Sequence, residues 1–157
     1  MDVTSMRKSL REFLAAAEGS GFGPPPAGEW DAERMLAHVA SGLASGAAAA
    51  LAIASGQRLV YDNRLSLDEW NLQRIVAEAS GLAGLTSLVR RYGELLCEVA
   101  AGLTGSELGV SLHVLIVSKD QLLVDEPRPL GSLLAGLVRT WRIAEWMEAL
   151  VPDGPGG

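Results

Sequence analysis

Two histidines, His38 and His113, are all the imidazole in this chain of 157 residues. Imidazole titrates near neutral pH and serves as a proton-transfer group or as a metal ligand. A closed or catalytic metal site takes three or four protein ligands, so His38 needs partners before it can hold an ion. His38 lies in Trp30-Asp31-Ala32-Glu33-Arg34-Met35-Leu36-Ala37-His38-Val39-Ala40. A helix histidine beside apolar residues is most simply a hydrogen-bonded core residue. His113 alternates with Leu112 and Val114 on a predicted strand, so it faces opposite to them. That placement predicts an exposed or hydrogen-bonded histidine rather than a ligand. Cys97 stands in Leu95-Leu96-Cys97-Glu98-Val99 with no adjacent base, which reads as a small buried hydrophobe and not a nucleophile. Glu145 shares a stripe with Leu134, Val138 and Trp141 on a predicted last helix. A carboxylate on an inward face must be paired or hydrogen-bonded. Arg142 is its nearest salt-bridge candidate.

The elements that would position these groups can be read from periodicity. Residues 3 to 18 carry Leu10, Phe13, Leu14 and Ala17 on one helical stripe. Gly19 to Gly28, with Pro24-Pro25-Pro26, breaks the pattern. Asp31 is a good N-cap for a second helix over about 32 to 55, and Glu33 suits its first turn. Met35, Val39, Gly42, Leu43 and Gly46 share a face whose small residues admit another helix closely. Residues 57 to 66 form a connection in which Asp62-Asn63 makes a turn. A third helix over 67 to 79 breaks or bends at Ser80-Gly81, and a longer stretch follows over 82 to 103. The run Val110 to Val117, the turn Ser118-Lys119-Asp120-Gln121 and Leu122-Leu123-Val124 predict a β-hairpin. Pro127 and Pro129 are expected to end it, with a final helix over 130 to 150. Trp30 and Trp70 are read as structural. The tail 152 to 157 is expected to be disordered.

Composition narrows the function classes. The net charge is −6, which argues against nucleic acid as a partner, since phosphate binding needs clustered Lys and Arg. The pairs Arg7-Lys8 and Arg90-Arg91 read as solvated helix faces. With a single cysteine no internal disulfide forms, which fits a reducing cytosol. No signal peptide is evident, and the apolar stretch Gly46 to Ala54 is too short for a membrane span. The expectation is one cytoplasmic domain over residues 1–151.

The segments Trp30-Asp31 through Leu36-Ala37-His38-Val39, Tyr61-Asp62-Asn63, and Val124-Asp125-Glu126-Pro127-Arg128-Pro129-Leu130, in this order among the helices, resemble the DinB superfamily. The closer likeness is to its branch similar to the N-terminal domain of mycothiol-dependent maleylpyruvate isomerases. It covers roughly residues 8 to 150. The resemblance implies a mainly α, up-down four-helix bundle with a small β-hairpin before the last helix. It also implies, in many members, a divalent metal held by one histidine on the second helix and an H-x-x-x-H pair on the last. His38 matches the first ligand. The pair aligns with Trp141 and Glu145, or one residue on with Arg142 and Trp146, and neither register contains a histidine. Indole cannot ligate a metal in any ordinary way, so the metal site reads as degenerate and no cofactor is expected.

Three functions are weighed on this basis. In the first, the bundle binds a small, largely apolar molecule between its helices. His38 and Glu145 are then the catalytic acid–base pair, with Trp141, Asn63 and Arg142 lining the pocket, in a metal-independent isomerisation, cyclisation or elimination. The second is a divalent-metal-dependent thiol transferase or isomerase of the mycothiol type, with His38 and Glu145 ligating zinc or nickel and a low-molecular-weight thiol as co-substrate. The third is a non-catalytic bundle that forms a homodimer or binds a protein through its Ala/Gly-rich second helix. A small molecule is the expected partner, with no nucleic acid and no membrane.

Overall fold

A computed structural model describes residues 1–19 and 21–139. The chain is mainly helical, with a small three-stranded sheet. Helix α1 spans Thr4–Glu18 and buries Leu10, Phe13, Leu14 and Ala17, the stripe read from its spacing. Helix α2 spans Ala32–Ala54, and the Asp31 side chain caps it by accepting from the Arg34 backbone N–H at 2.8 Å. The Arg34 guanidinium then bridges Asp31 to Glu69 of α3 (Glu69–Ala79), tying the starts of two helices together. Ser80 and Gly81 both take positive φ, 61° and 88°, and separate α3 from α4 (Leu82–Gly102) as two distinct helices. One-turn α5 (Gly105–Leu108) is closed by a Thr104–Glu107 capping box. α6 begins at Leu130 and is described to Arg139.

α2 is the central helix, packed against α3, α4, α6 and the sheet, while α1 packs on α4. By length and composition it is apolar enough to cross a membrane, with a mean hydropathy of 1.6 over its most apolar window. Its burial among the other elements accounts for that apolarity, because a helix surrounded by others is apolar on most faces. The core gathers Phe13, Leu36, Leu72, Leu85, Leu96 and Leu134. Small residues set the spacings. A Cβ at Gly93 of α4 would stand 2.5 Å from Leu10 Cδ1 of α1, and one at Gly46 of α2 would stand 2.6 Å from Leu137 Cδ1 of α6.

The sheet corrects the expected hairpin in two ways. First, the connection after α2 contributes a strand, β1 (Val60–Asp62), which pairs parallel with β2 (Ser111–Ser118). Three residues give too short a pattern to signal a strand. Second, β3 (Gln121–Pro129) does not stop before its prolines. It is the outer strand in the order β1-β2-β3, where a missing N–H can face away from the ladder. The tight turn between β2 and β3 puts Lys119 and Asp120 at φ 48° and 61°, the left-handed pair that a two-residue hairpin turn requires. Trp70 is 65% exposed and lies under the Arg74 guanidinium, 5.5 Å from its ring centroid, so its contact is at the surface.

Candidate functional site

His38 sits midway along α2 and is anchored by a relay that begins in the sheet. Asn63 starts the 3₁₀ turn Asn63–Leu67 that follows β1. Its amide donates to the Val117 carbonyl at 2.9 Å and accepts from the Val117 N–H at 2.8 Å, so a side chain prolongs the backbone pairing of the sheet. The Ser66 hydroxyl closes the turn by donating to the Asn63 carbonyl at 2.8 Å. The Ser66 carbonyl, in turn, is 2.6 Å from His38 Nδ1. A carbonyl can only accept, so Nδ1 carries the proton and Nε2 keeps its lone pair. Trp30, just before the N-cap, packs its ring 5.2 Å from the imidazole centroid at 52°, so this tryptophan is structural as read from the sequence.

Nε2 has no hydrogen-bond partner among the described residues. Among the described residues no enclosed side-chain nitrogen or oxygen is left unpaired, so Nε2 retains access to solvent. Burial pushes the His38 pKa below its ordinary 6.5, and the bond to the Ser66 carbonyl opposes this only in part. At neutral pH the ring is therefore neutral and acts as a base or an acceptor.

A cavity of about 160 Å³ adjoins this ring, between α2, the 3₁₀ turn, the inner face of the sheet and α6. Val39, Leu43, Val114, Ile116, Leu133 and Leu137 make most of its wall. Its volume is close to the roughly 150 Å³ of an apolar cavity that takes up a benzene ring. Gly42 keeps it open from the α2 side, since a Cβ there would meet nothing within 4 Å. The polar residues of its lining are His38, Tyr61, Asn63, Ser66, Ser132 and Arg128. The Arg128 guanidinium bonds Glu126 through Nε at 2.9 Å and Nη2 at 2.7 Å, which leaves other N–H groups to spare.

Of the residues expected from the sequence, the structure brings His38 and Asn63 to one cavity. Asn63 lines it, and both polar ends of its amide already bond Val117. Trp141, Arg142 and Glu145, together with Trp146, lie outside the described residues, as does the tail 152–157. His113 lies on the opposite face of β2 from Val114 and bonds the Asp125 carboxylate at 2.5 Å. Cys97 is buried, and that burial raises its thiol pKa, as an inert cysteine requires. Among the described residues no group of three His, Cys, Asp or Glu side chains could hold a metal ion. The donors described here do not complete the site that the family resemblance implies.

Three polar residues that line the cavity were missed by the sequence reading. Tyr61 and Arg128 stood inside quoted motifs, but nothing in their spacing aimed them inward before β1 was recognised as a strand beside β2. Ser66 acts through its backbone carbonyl, which no side-chain pattern reveals.

No family model matches the chain, and no curated protein matches it. Among solved structures the fold is similar to the crystal structure of the mycothiol-dependent maleylpyruvate isomerase, with a TM-score of 0.67 at 12% identity. The match covers 95% of this chain and 59% of that one, so this chain spans about three fifths of its neighbour's length.

Proposed function

We propose that this protein binds a small, largely apolar molecule in the cavity beside His38 and uses His38 Nε2 as a general base in a metal-independent isomerisation, cyclisation or elimination. The observation that carries this reading is the fixed tautomer: Nδ1–H is held by the Ser66 carbonyl, Nε2 keeps its lone pair, and the ring lines an apolar cavity. A neutral imidazole held in one orientation is suited to taking a proton from a bound molecule. The same reading takes α1, α2, α4 and α6 as a DinB-type up-down bundle, in one cytoplasmic domain over residues 1–151. In it Glu145 completes the acid–base pair, and Trp141 and Arg142 line the cavity.

Phenol and benzene test it, because they differ by one O–H group that Nε2 can accept. Calorimetry is expected to show saturable binding of both rings, with phenol about three- to tenfold tighter, as one neutral hydrogen bond supplies. His38→Ala is expected to abolish that preference. Failure of both rings to bind would overturn the reading.

The bond from Nδ1 to a carbonyl is also the one that orients metal-ligating imidazoles. It favours, as a second reading, the divalent-metal-dependent thiol transferase or isomerase, whose remaining ligands must come from beyond the described residues. Titration with zinc and nickel decides: stoichiometric uptake that His38→Ala removes supports this second reading, and no uptake by the unmodified chain ends it.

A further inference from the structure

Tyr61 is an exception to the way this chain treats its buried polar groups. Ser66 and Thr86, the other buried hydroxyls, each donate to a backbone carbonyl, at 2.8 Å in both cases. Tyr61 is only 4% exposed. Among the described residues its hydroxyl has no hydrogen-bond partner and no enclosed side-chain oxygen is left unpaired, so it is not sealed from solvent. Within reach of solvent, it is a donor whose partner can be water or a bound molecule. The strand register says where the ring goes. Tyr61 is opposite Val114 across the parallel β1–β2 pair, and Val114 is on the inner face that walls the cavity. Val60 and Asp62 alternate to the other face.

We propose that the Tyr61 hydroxyl is a second recognition group of the His38 cavity, donating a hydrogen bond to a carbonyl oxygen, so that the molecule bound there is a small ring ketone or enone. This rests on the reading of His38 given above. Burial pushes the Tyr61 pKa up to about 12, so the phenol stays protonated at neutral pH and serves as a donor. The cavity then presents one neutral donor, Tyr61, and one neutral acceptor, His38 Nε2, within apolar walls. A carbonyl oxygen with an acidic hydrogen on the neighbouring carbon complements both. Nε2 takes that proton, the C–H pair becomes part of a C=C bond, and the displaced carbonyl pair rests on the oxygen held by Tyr61. Where a ring C=C bond is conjugated with that enolate, as in an enone, return of the same proton from the imidazolium to the far carbon of the dienolate yields the isomer. No oxidant or co-reactant is consumed.

The experiment compares 2-cyclohexenone with benzene on the unmodified chain, on Tyr61→Phe and on His38→Ala. Affinity is read by calorimetry and the bound carbonyl stretch by difference infrared spectroscopy. The unmodified chain is expected to bind the enone about three- to tenfold tighter than benzene, the effect of one neutral hydrogen bond, and to shift its carbonyl stretch to lower frequency. Tyr61→Phe should erase both the preference and the shift, whereas His38→Ala should retain them. Tyr61→Phe removes an unpartnered hydroxyl, so its thermal midpoint should not fall. Benzene binding with an unshifted enone, or with the same preference in Tyr61→Phe, would overturn the proposal and leave the cavity reading standing. It would place the hydroxyl in the shallow outer groove that Tyr61 also borders, beside Val60 and Leu65. Failure of every ring to bind would overturn both.

Discussion

The two histidines occupy opposite kinds of place. His113 projects from the outer face of the hairpin with a 44% exposed side chain and meets a carboxylate, Asp125, across the strand pair. His38 projects from the central helix toward the sheet and meets a neutral carbonyl, and a cavity lies beside its other nitrogen. An exposed ion pair in water contributes about 0–1 kcal/mol and leaves the ring in ordinary solvent. A carbonyl bond in a half-buried setting does more: it fixes the tautomer and leaves one lone pair available. The contrast shows that residue type says little about chemistry here. The neighbour on Nδ1 and the cavity beside the ring separate the half-buried imidazole from the surface one.

The largest effect should come from removing that space. Gly42 lies one turn beyond His38 on α2, and a side chain there has room to enter the cavity. Gly42→Leu should fill the cavity without a backbone clash. It should also favour the helix by several tenths of a kcal/mol, since glycine is a poor helix former (~1 kcal/mol against Ala). The expected outcome is a folded chain with an unchanged or higher thermal midpoint that has lost calorimetric binding of phenol and benzene by roughly 100-fold or more, the effect of closing an apolar site. Retained binding would mean that the rings bind elsewhere, and the distinction between the two histidines would lose its meaning.

The next effect tests the relay. Asn63→Ala deletes both bonds to Val117, and neutral hydrogen bonds contribute about 0.5–1.5 kcal/mol each. A stability loss of about 1–3 kcal/mol is expected in urea unfolding, accompanied in nitrogen-resolved NMR by a mixture of His38 tautomers where the unmodified chain shows one. His113→Ala, by comparison, removes a single exposed pair and should cost less than about 1 kcal/mol with the His38 signals unchanged. Equal losses from the two variants would show that the relay does no more than a surface contact does.

These residues also show what could be read in advance. The α2 helix with its Asp31 cap, the stripe on α1, the β2–β3 turn and the outward face of His113 were all legible, because each follows from local periodicity or turn chemistry. The relay was not. It joins Val117, Asn63, Ser66 and His38 through three backbone carbonyls and a strand of three residues, and its partners are up to 54 positions apart. Local pattern carries no information about such pairs. Asn63 was anticipated at the cavity mouth, but its side chain is largely committed to the sheet. Trp70 has its partner at the surface, where Arg74 four residues on stacks over the indole.

The last prediction separates the imidazole environments by pH. Desolvation lowers the pKa of His38 in the folded chain below the 6.5 it has when exposed. Between those two values the unfolded chain binds a proton at this position that the folded chain lacks, so acidification through that window favours unfolding. The stability contributed by a neutral His38 is present in full above pH 6.5, declines below it, and reaches a floor once the folded-state ring has also taken its proton. His38→Gln cannot titrate and should lack this component. Urea unfolding of both proteins between pH 8 and pH 5 should therefore show the stability difference shifting against the unmodified chain as pH falls. A difference that stays constant across the range would mean that His38 is as well solvated as an exposed histidine. The cavity would then have too polar a setting to keep the ring neutral for proton abstraction.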